Sequence, residues 1–300
     1  MSDTLWILAI LLLTGTANAL IGTLLVLRRM AMLSDAISHS VLFGLAVAYL
    51  IVGSRDPLAM FTGATVAGLF TAWLTDWLNR RGNVQHDASI GVVFTFLFAL
   101  GVILVSAYAH RVHLDVEHVL YGEVAFAPFE RLELGDVDLG PRAFWTLLVV
   151  ALLNVGFMLI GFHRLQMLTF STTLAATAGI AAGLWHYLIM TVTSLTAVAS
   201  FEAVGAILVV ALLVMPTNTA WLLAKSLRSM LWLAVSFAAV AVLIGYGIAA
   251  WLDAAIASAI AVTAGLLYFL VLGGRIMARW LIRQPYSHRH YRDIRDENAS

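Results

Sequence analysis

No cysteine occurs among the 300 residues, which removes disulfides, thiolate metal sites and thiol redox pairs from consideration. Charge is scarce too: Asp, Glu, Lys and Arg make up 11% of the chain and the formal net charge is +0, so no global field points to nucleic acid. Only one lysine is present, Lys225, and the stretch before it, TAWLLA, holds no glycine. A Gly-x-x-x-x-Gly-Lys-Ser/Thr phosphate loop is therefore absent, and any ATP-driven step must be powered by another chain. The string His-Glu-x-x-His is missing as well, which argues against an intramembrane zinc protease.

What fills the chain instead is apolar. Hydrophobic residues reach 62% and the mean hydropathy is +0.94, far above the roughly 45–50% apolar content of soluble domains. A membrane-spanning helix needs about 20 mostly apolar residues. Runs of that kind fall at 5–27, 35–53, 57–78, 89–108, 143–162, 177–197, 201–224, 229–250 and 254–274. These predict an all-α integral membrane protein, a polytopic bundle of about 8–9 transmembrane helices. Ala17-Asn18-Ala19 resembles a signal-peptidase site, but Asp3 and no Lys or Arg precedes the first run, which continues to Leu27; it reads as a retained first helix.

Basic residues set the expected orientation. Thirteen of them (Arg28, Arg29, Arg80, Arg81, Arg164, Lys225, Arg228 and six from Arg275 onward) lie on one side of a nine-span arrangement, and four (Arg55, Arg111, Arg131, Arg142) on the other. The positive-inside rule then places the N-terminus outside and the C-terminus inside. Residues 1–282 form the expected transmembrane domain and 283–300 a charged cytoplasmic tail, whose His288 and His290 read as solvated. The segment 109–142 becomes an external loop with seven acidic residues against three arginines, a bias that favours cations at the outer mouth. Within it His113, Asp115, Glu117 and His118 are candidates for metal entry, although the histidine spacings give no single helical face. His86-Asp87 reads as a cytoplasmic loop pair, and His163 and His186 as interface residues near helix ends.

Ionisable residues inside spans are costly and usually face a cavity, a partner or the bundle interior. Asp35 and His39 stand four residues apart, so a helix sets them on one face a turn apart. Two bland readings compete with a ligand pair: Ser34-Asp35 caps a helix entering the membrane, or the two side chains merely satisfy one another. Glu202 opens the long run AVGAILVVALLVMP and reads either as a third ligand or as an acid at a helix N-terminus. Carboxylate and imidazole without thiolate suit manganese, iron or zinc rather than copper(I).

Four blocks carry a resemblance: MAMLSDAISHSVLFGLAVAYL, DASIGVVFTFLFALGVILVS, LDVEHVLYGEV and SFEAVGAILVVALLVMPTNTAWLL. In this order, from Gly22 to Arg228, they resemble the permease subunits of bacterial ABC importers for manganese, zinc and iron. The resemblance implies an inner-membrane permease with no permanently bound cofactor, a divalent metal as cargo, and Asp35 and His39 as its ligands, with Glu202 matching a further recurring acid. It implies a second permease subunit, two cytoplasmic P-loop ATPase subunits and an external solute-binding protein. The ATPase-coupling helix falls within Gly161–Ile180, which makes His163, Arg164, Leu168, Phe170 and Thr172 the candidate coupling residues. A proton-coupled carrier working without an ATPase is the alternative.

Overall fold

The computed structural model describes residues 3–54, 56–108, 124, 127, 131–134 and 137–283. Its helices are α1 (Asp3–Leu27), α2 (Met32–Val52), α3 (Pro57–Gly82), α4 (His86–Tyr108), α5 (Arg142–Phe170), α6 (Thr172–Thr177), α7 (Ala182–Val204), α8 (Ala206–Leu223), α9 (Leu227–Leu252) and α10 (Ile256–Arg283). All except α6 are long and apolar enough to span a membrane, so nine spans are present among the described residues. Two short strands, β1 (Arg131–Leu134) and β2 (Val137–Pro141), pair antiparallel just before α5. This hairpin was not expected from the sequence. It rests on α1, where Gly140 (φ 87°) abuts the Trp6 ring, Trp6 meets Phe144 edge-on at 5.2 Å, and Arg131 approaches Asp3 at 3.8 Å.

α1 is apolar all round and packs against α5, α7, α8 and α9, as a helix without a polar face must. Because lipid offers no hydrophobic drive between helices, close backbone approach and polar contacts do the joining. In the core, Asn154 Nδ2 donates to Thr196 Oγ1 at 3.0 Å and to the Ala17 carbonyl at 3.2 Å, and Asn18 Nδ2 donates to Ser200 Oγ at 2.8 Å. These bonds tie α1, α5 and α7 together.

α2 is held differently. It packs on α3 and α4, with further contacts to α7 and α8. Gly44 and Ala48 on α2 face Gly63 and Ala67 on α3; a Cβ built on Gly63 would stand 2.6 Å from the Ala48 Cβ, and one on Gly44 would stand 2.6 Å from the Ala67 Cβ. Small residues four apart on both helices thus set the α2–α3 distance.

Two boundaries differ from the sequence reading. α5 runs two turns past residue 162, since Leu165 and Leu168 continue its buried face. α7 ends at Val204 rather than near 197, and Gly205 (φ 82°, ψ 163°) alone separates it from α8. That backbone region is open essentially to glycine only. The break is buried, with the Gly205 N–H donating to the Phe201 carbonyl at 2.9 Å, as non-helical backbone at membrane depth requires.

Candidate metal site and coupling segment

α2 begins at Met32 with Ala31 in the N-cap position, and no side chain caps it. Asp35 is the fourth residue of the helix, so the capping explanation fails on position alone. Its carboxylate Oδ1 lies 3.5 Å from His39 Nε2, and the side chains of His39 and Asp35 keep 33% and 38% of their surface accessible. On α4 the Phe94 ring stacks on the imidazole at 5.5 Å and the Phe98 ring meets it edge-on at 5.8 Å. These rings fix its plane while leaving Nε2 on the Asp35 side.

The spacing suits a metal. Metal–oxygen and metal–nitrogen bonds of about 2.1 Å meeting at the tetrahedral angle put the two donor atoms roughly 3.4 Å apart. A charged pair cannot face hydrocarbon cheaply, so the accessible side of Asp35 and His39 needs protein or water against it. Among the described residues no group of three or more His, Asp or Glu side chains is gathered for a metal. Asp35 and His39 are thus two potential ligands side by side on one chain.

Glu202 is placed elsewhere. It sits in the last turn of α7, not at the start of a helix, so the N-terminal reading of this acid does not hold. Together with Phe201 and Val198 it lines a cavity of about 250 Å³ against Val41, Leu45, Met60, Phe61 and Ala64. Neither Asp35 nor His39 lines that cavity. The outer-mouth candidates His113, Asp115, Glu117 and His118, and the tail after 283, lie outside the described residues.

The segment expected to couple to an ATPase takes a clear form. α5 stops at Ser171, whose extended backbone (φ −158°) turns the chain and whose Oγ accepts from the Leu174 N–H at 3.2 Å, capping the six-residue α6. Phe170 and Leu174 are 67% and 60% exposed, an apolar face left uncovered among the described residues. His163 and Arg164 are exposed as well, with the Arg164 guanidinium 5.6 Å from the centre of the Trp185 ring on α7. Thr172 is the first residue of α6. Leu168 drops out of the candidate set, being 3% exposed within the core: once α5 continues past residue 162, Leu168 shares the inward face of Leu165.

A buried acid escaped the sequence reading. Asp76 on α3 is 7% exposed, Arg80 Nε donates to its Oδ1 at 2.9 Å, and His186 Nε2 on α7 stands 3.4 Å from the same oxygen. Arg28 closes the group through His186 Nδ1 at 3.0 Å. Burial pushes the Arg28 guanidinium below its ordinary pKa, with Arg80 acting in the same direction and Asp76 opposing.

The family described as the ABC 3 transport family matches residues 3–274. The chain belongs to this family. It is similar to the manganese transport system membrane protein MntD of Bacillus subtilis (strain 168), 47% identical over 268 residues that cover 89% of this chain and 90% of that protein. The zinc transport system membrane protein TroD of Treponema pallidum (strain Nichols) is 38% identical, with 89% of this chain and 73% of that protein covered. Among solved structures, PsaBC from Streptococcus pneumoniae in complex with Fab superposes with a TM-score of 0.74 at 29% identity, covering 90% of this chain and 91% of that one. As a member of the ABC 3 transport family the chain is a multi-pass membrane permease and not an enzyme.

Proposed function

We propose that this permease carries a divalent first-row metal, manganese or zinc, into the cell past Asp35 and His39, driven by ATP hydrolysis on a separate chain. The observation that carries the reading is the Asp35–His39 pair itself: two uncapped, accessible ligand side chains at metal-bite spacing on a membrane helix. The relatives named for manganese and zinc transport support those two metals. Iron has no such support and stands as an outcome of the test.

Two ligands per chain favour a second permease subunit whose own pair completes a site of four, with waters filling any remainder. Such a partner would also cover the accessible face of α2. Weak, shared ligation is what transit needs, because a metal that binds must also leave. α6 and the exposed Phe170 and Leu174 provide the contact for a cytoplasmic P-loop ATPase, since this chain has no phosphate loop of its own. An external solute-binding protein would deliver the metal, and the site of action is the bacterial inner membrane. A proton-coupled carrier is less well supported, as the named relatives are membrane proteins of multi-part transport systems.

Reconstitution tests this directly. The permease, co-purified with its ATPase chain into vesicles, should take up manganese or zinc only with ATP inside the ATPase compartment. Equal uptake by the permease alone, driven by a pH gradient, would establish the carrier instead.

A further inference from the structure

At the end of the bundle where α5 closes into α6, Arg28, Asp76, Arg80 and His186 form one connected relay. Chemistry fixes its direction. Arginine only donates, so His186 Nδ1, 3.0 Å from Arg28 Nη2, must accept and carries no proton. The ring proton then lies on Nε2, which stands 3.4 Å from Asp76 Oδ1 in a close polar contact that falls short of hydrogen-bond geometry. Arg80 donates to that same oxygen at 2.9 Å. The relay thus runs from Arg28 to His186 by a hydrogen bond and from His186 to Asp76 by polar contact, with Arg80 bonded to the same carboxylate.

Stability does not account for it. Buried ionic groups seldom exceed well-packed apolar replacements in net stabilisation, and here the buried Arg28 Nη1 has no hydrogen-bond partner. Connectivity accounts for it better. His186 neighbours Trp185, which lies beneath Arg164 of α5 and packs on Phe157 at 5.9 Å. That turn of α7 is therefore clamped to the helix that leads into α6. Arg28 lies in the α1–α2 turn, which has no slack: the Arg29 N–H donates to the Val26 carbonyl at 3.1 Å and the Met30 N–H to the Leu25 carbonyl at 2.8 Å. Arg29 takes a left-handed φ of 58°, the closure of a Schellman motif. Asp35 follows on the first turn of α2.

We propose that His186 and Asp76 are positioning residues that link the ATPase-contact segment to the Asp35–His39 pair, carrying a displacement of α6 and α7 through Arg28 to the start of α2. The proposal rests on the reading of α6 as the ATPase contact. An apolar cluster could hold the same helices together, but it would slide. The Arg28–His186 and Arg80–Asp76 hydrogen bonds, brought together by the 3.4 Å His186–Asp76 contact, tie α3, α7 and the α1–α2 turn at defined side chains.

The test uses the full permease–ATPase complex in vesicles, reading ATP hydrolysis and manganese uptake together. His186→Leu and Asp76→Asn should keep hydrolysis near wild type while uptake per ATP falls about tenfold, the scale on which mutations along a coupling path act. His186→Gln supplies an acceptor for Arg28 and a donor for Asp76, and should restore most of that uptake. If His186→Leu assembles and transports as much per ATP as wild type, or if His186→Gln is as uncoupled as His186→Leu, the proposal is overturned. Should the two buried variants fail to assemble, Arg28→Met decides, because it leaves the Asp76–Arg80 pair whole: normal uptake per ATP in that variant also overturns the relay. Failure of the docking reading shows separately, as a complex whose hydrolysis and assembly ignore Phe170→Asp.

Discussion

Asp35→Asn separates a ligand from a structural acid. The structural cost is small on every count. Asn keeps the volume and can still hydrogen-bond His39. A first-turn acid facing the helix dipole contributes about 0.3–1 kcal/mol. An ion pair with a third of its surface accessible contributes about 0–1 kcal/mol. Loss of both leaves a protein that inserts and assembles.

The ligand cost is larger. Unit charges 4 Å apart at an effective dielectric of about 20 interact by about 4 kcal/mol, and a divalent ion doubles that. If solvent and the remaining ligands leave a quarter of it, about 2 kcal/mol, affinity falls roughly thirtyfold. Uptake of radioactive manganese and of zinc into vesicles holding the assembled complex measures it, with the amount of co-purified ATPase as the control for assembly. His39→Gln should fail in the same way, because it keeps a polar side chain but loses the imidazole. Both variants assembling and transporting at wild-type rates would refute the metal site and leave the pair structural.

Phe170→Asp, at a 67% exposed position, should leave the permease folded but lower ATP-driven uptake, whereas Leu168→Asp buries an unpaired charge and should abolish assembly; equal behaviour of the two in a pull-down would refute the assignment of faces. Gly63→Leu should split α2 from α3 at a cost of about 1–3 kcal/mol, seen as a lower melting temperature in detergent, and an unchanged melting temperature would contradict the packing. Cysteine introduced at Arg81 should label from the cytoplasm and at Asp253 from outside, and the reverse pattern would invert the topology. Asn154→Leu removes the bonds to Ala17 and Thr196, each worth about 0.6 kcal/mol in membrane proteins, and should reduce thermal stability while leaving uptake per ATP unchanged.

Nine spans and the Asp35–His39 pair were legible because both are local signals, one of length and one of spacing on a single helix. The boundaries were not, and functional assignments moved with them. Leu168 reads as a surface residue only if α5 stops at 162; two more turns place it inside. Glu202 reads as an N-terminal acid only if α7 stops near 197, and the single glycine at 205 sets that limit through its backbone angles. The Arg28–His186–Asp76 relay joins three elements far apart in the chain, and no spacing rule connects them. Only Asp76 and Arg80, at i and i+4, carried a local signal, one that ordinary helix ends also carry.

The placement of the pair follows from how its helix is held. α1, α5 and α7 are joined in the core by amide and hydroxyl bonds. α2 lies against α3 through small residues and keeps Asp35 and His39 about one third accessible. On the proposed reading, a site that must take up and release its cargo within one cycle needs a face that a partner and water can reach, and the accessible side of Asp35 and His39 supplies one. On the same reading, the tight turn at Arg29 and the contacts of His186 connect the start of α2 to α7. In the proposed coupling the displacement from α7 enters through the turn at Arg28 and Arg29, and Asp35 and His39, on the first and second turns of α2, hold or let go of the metal.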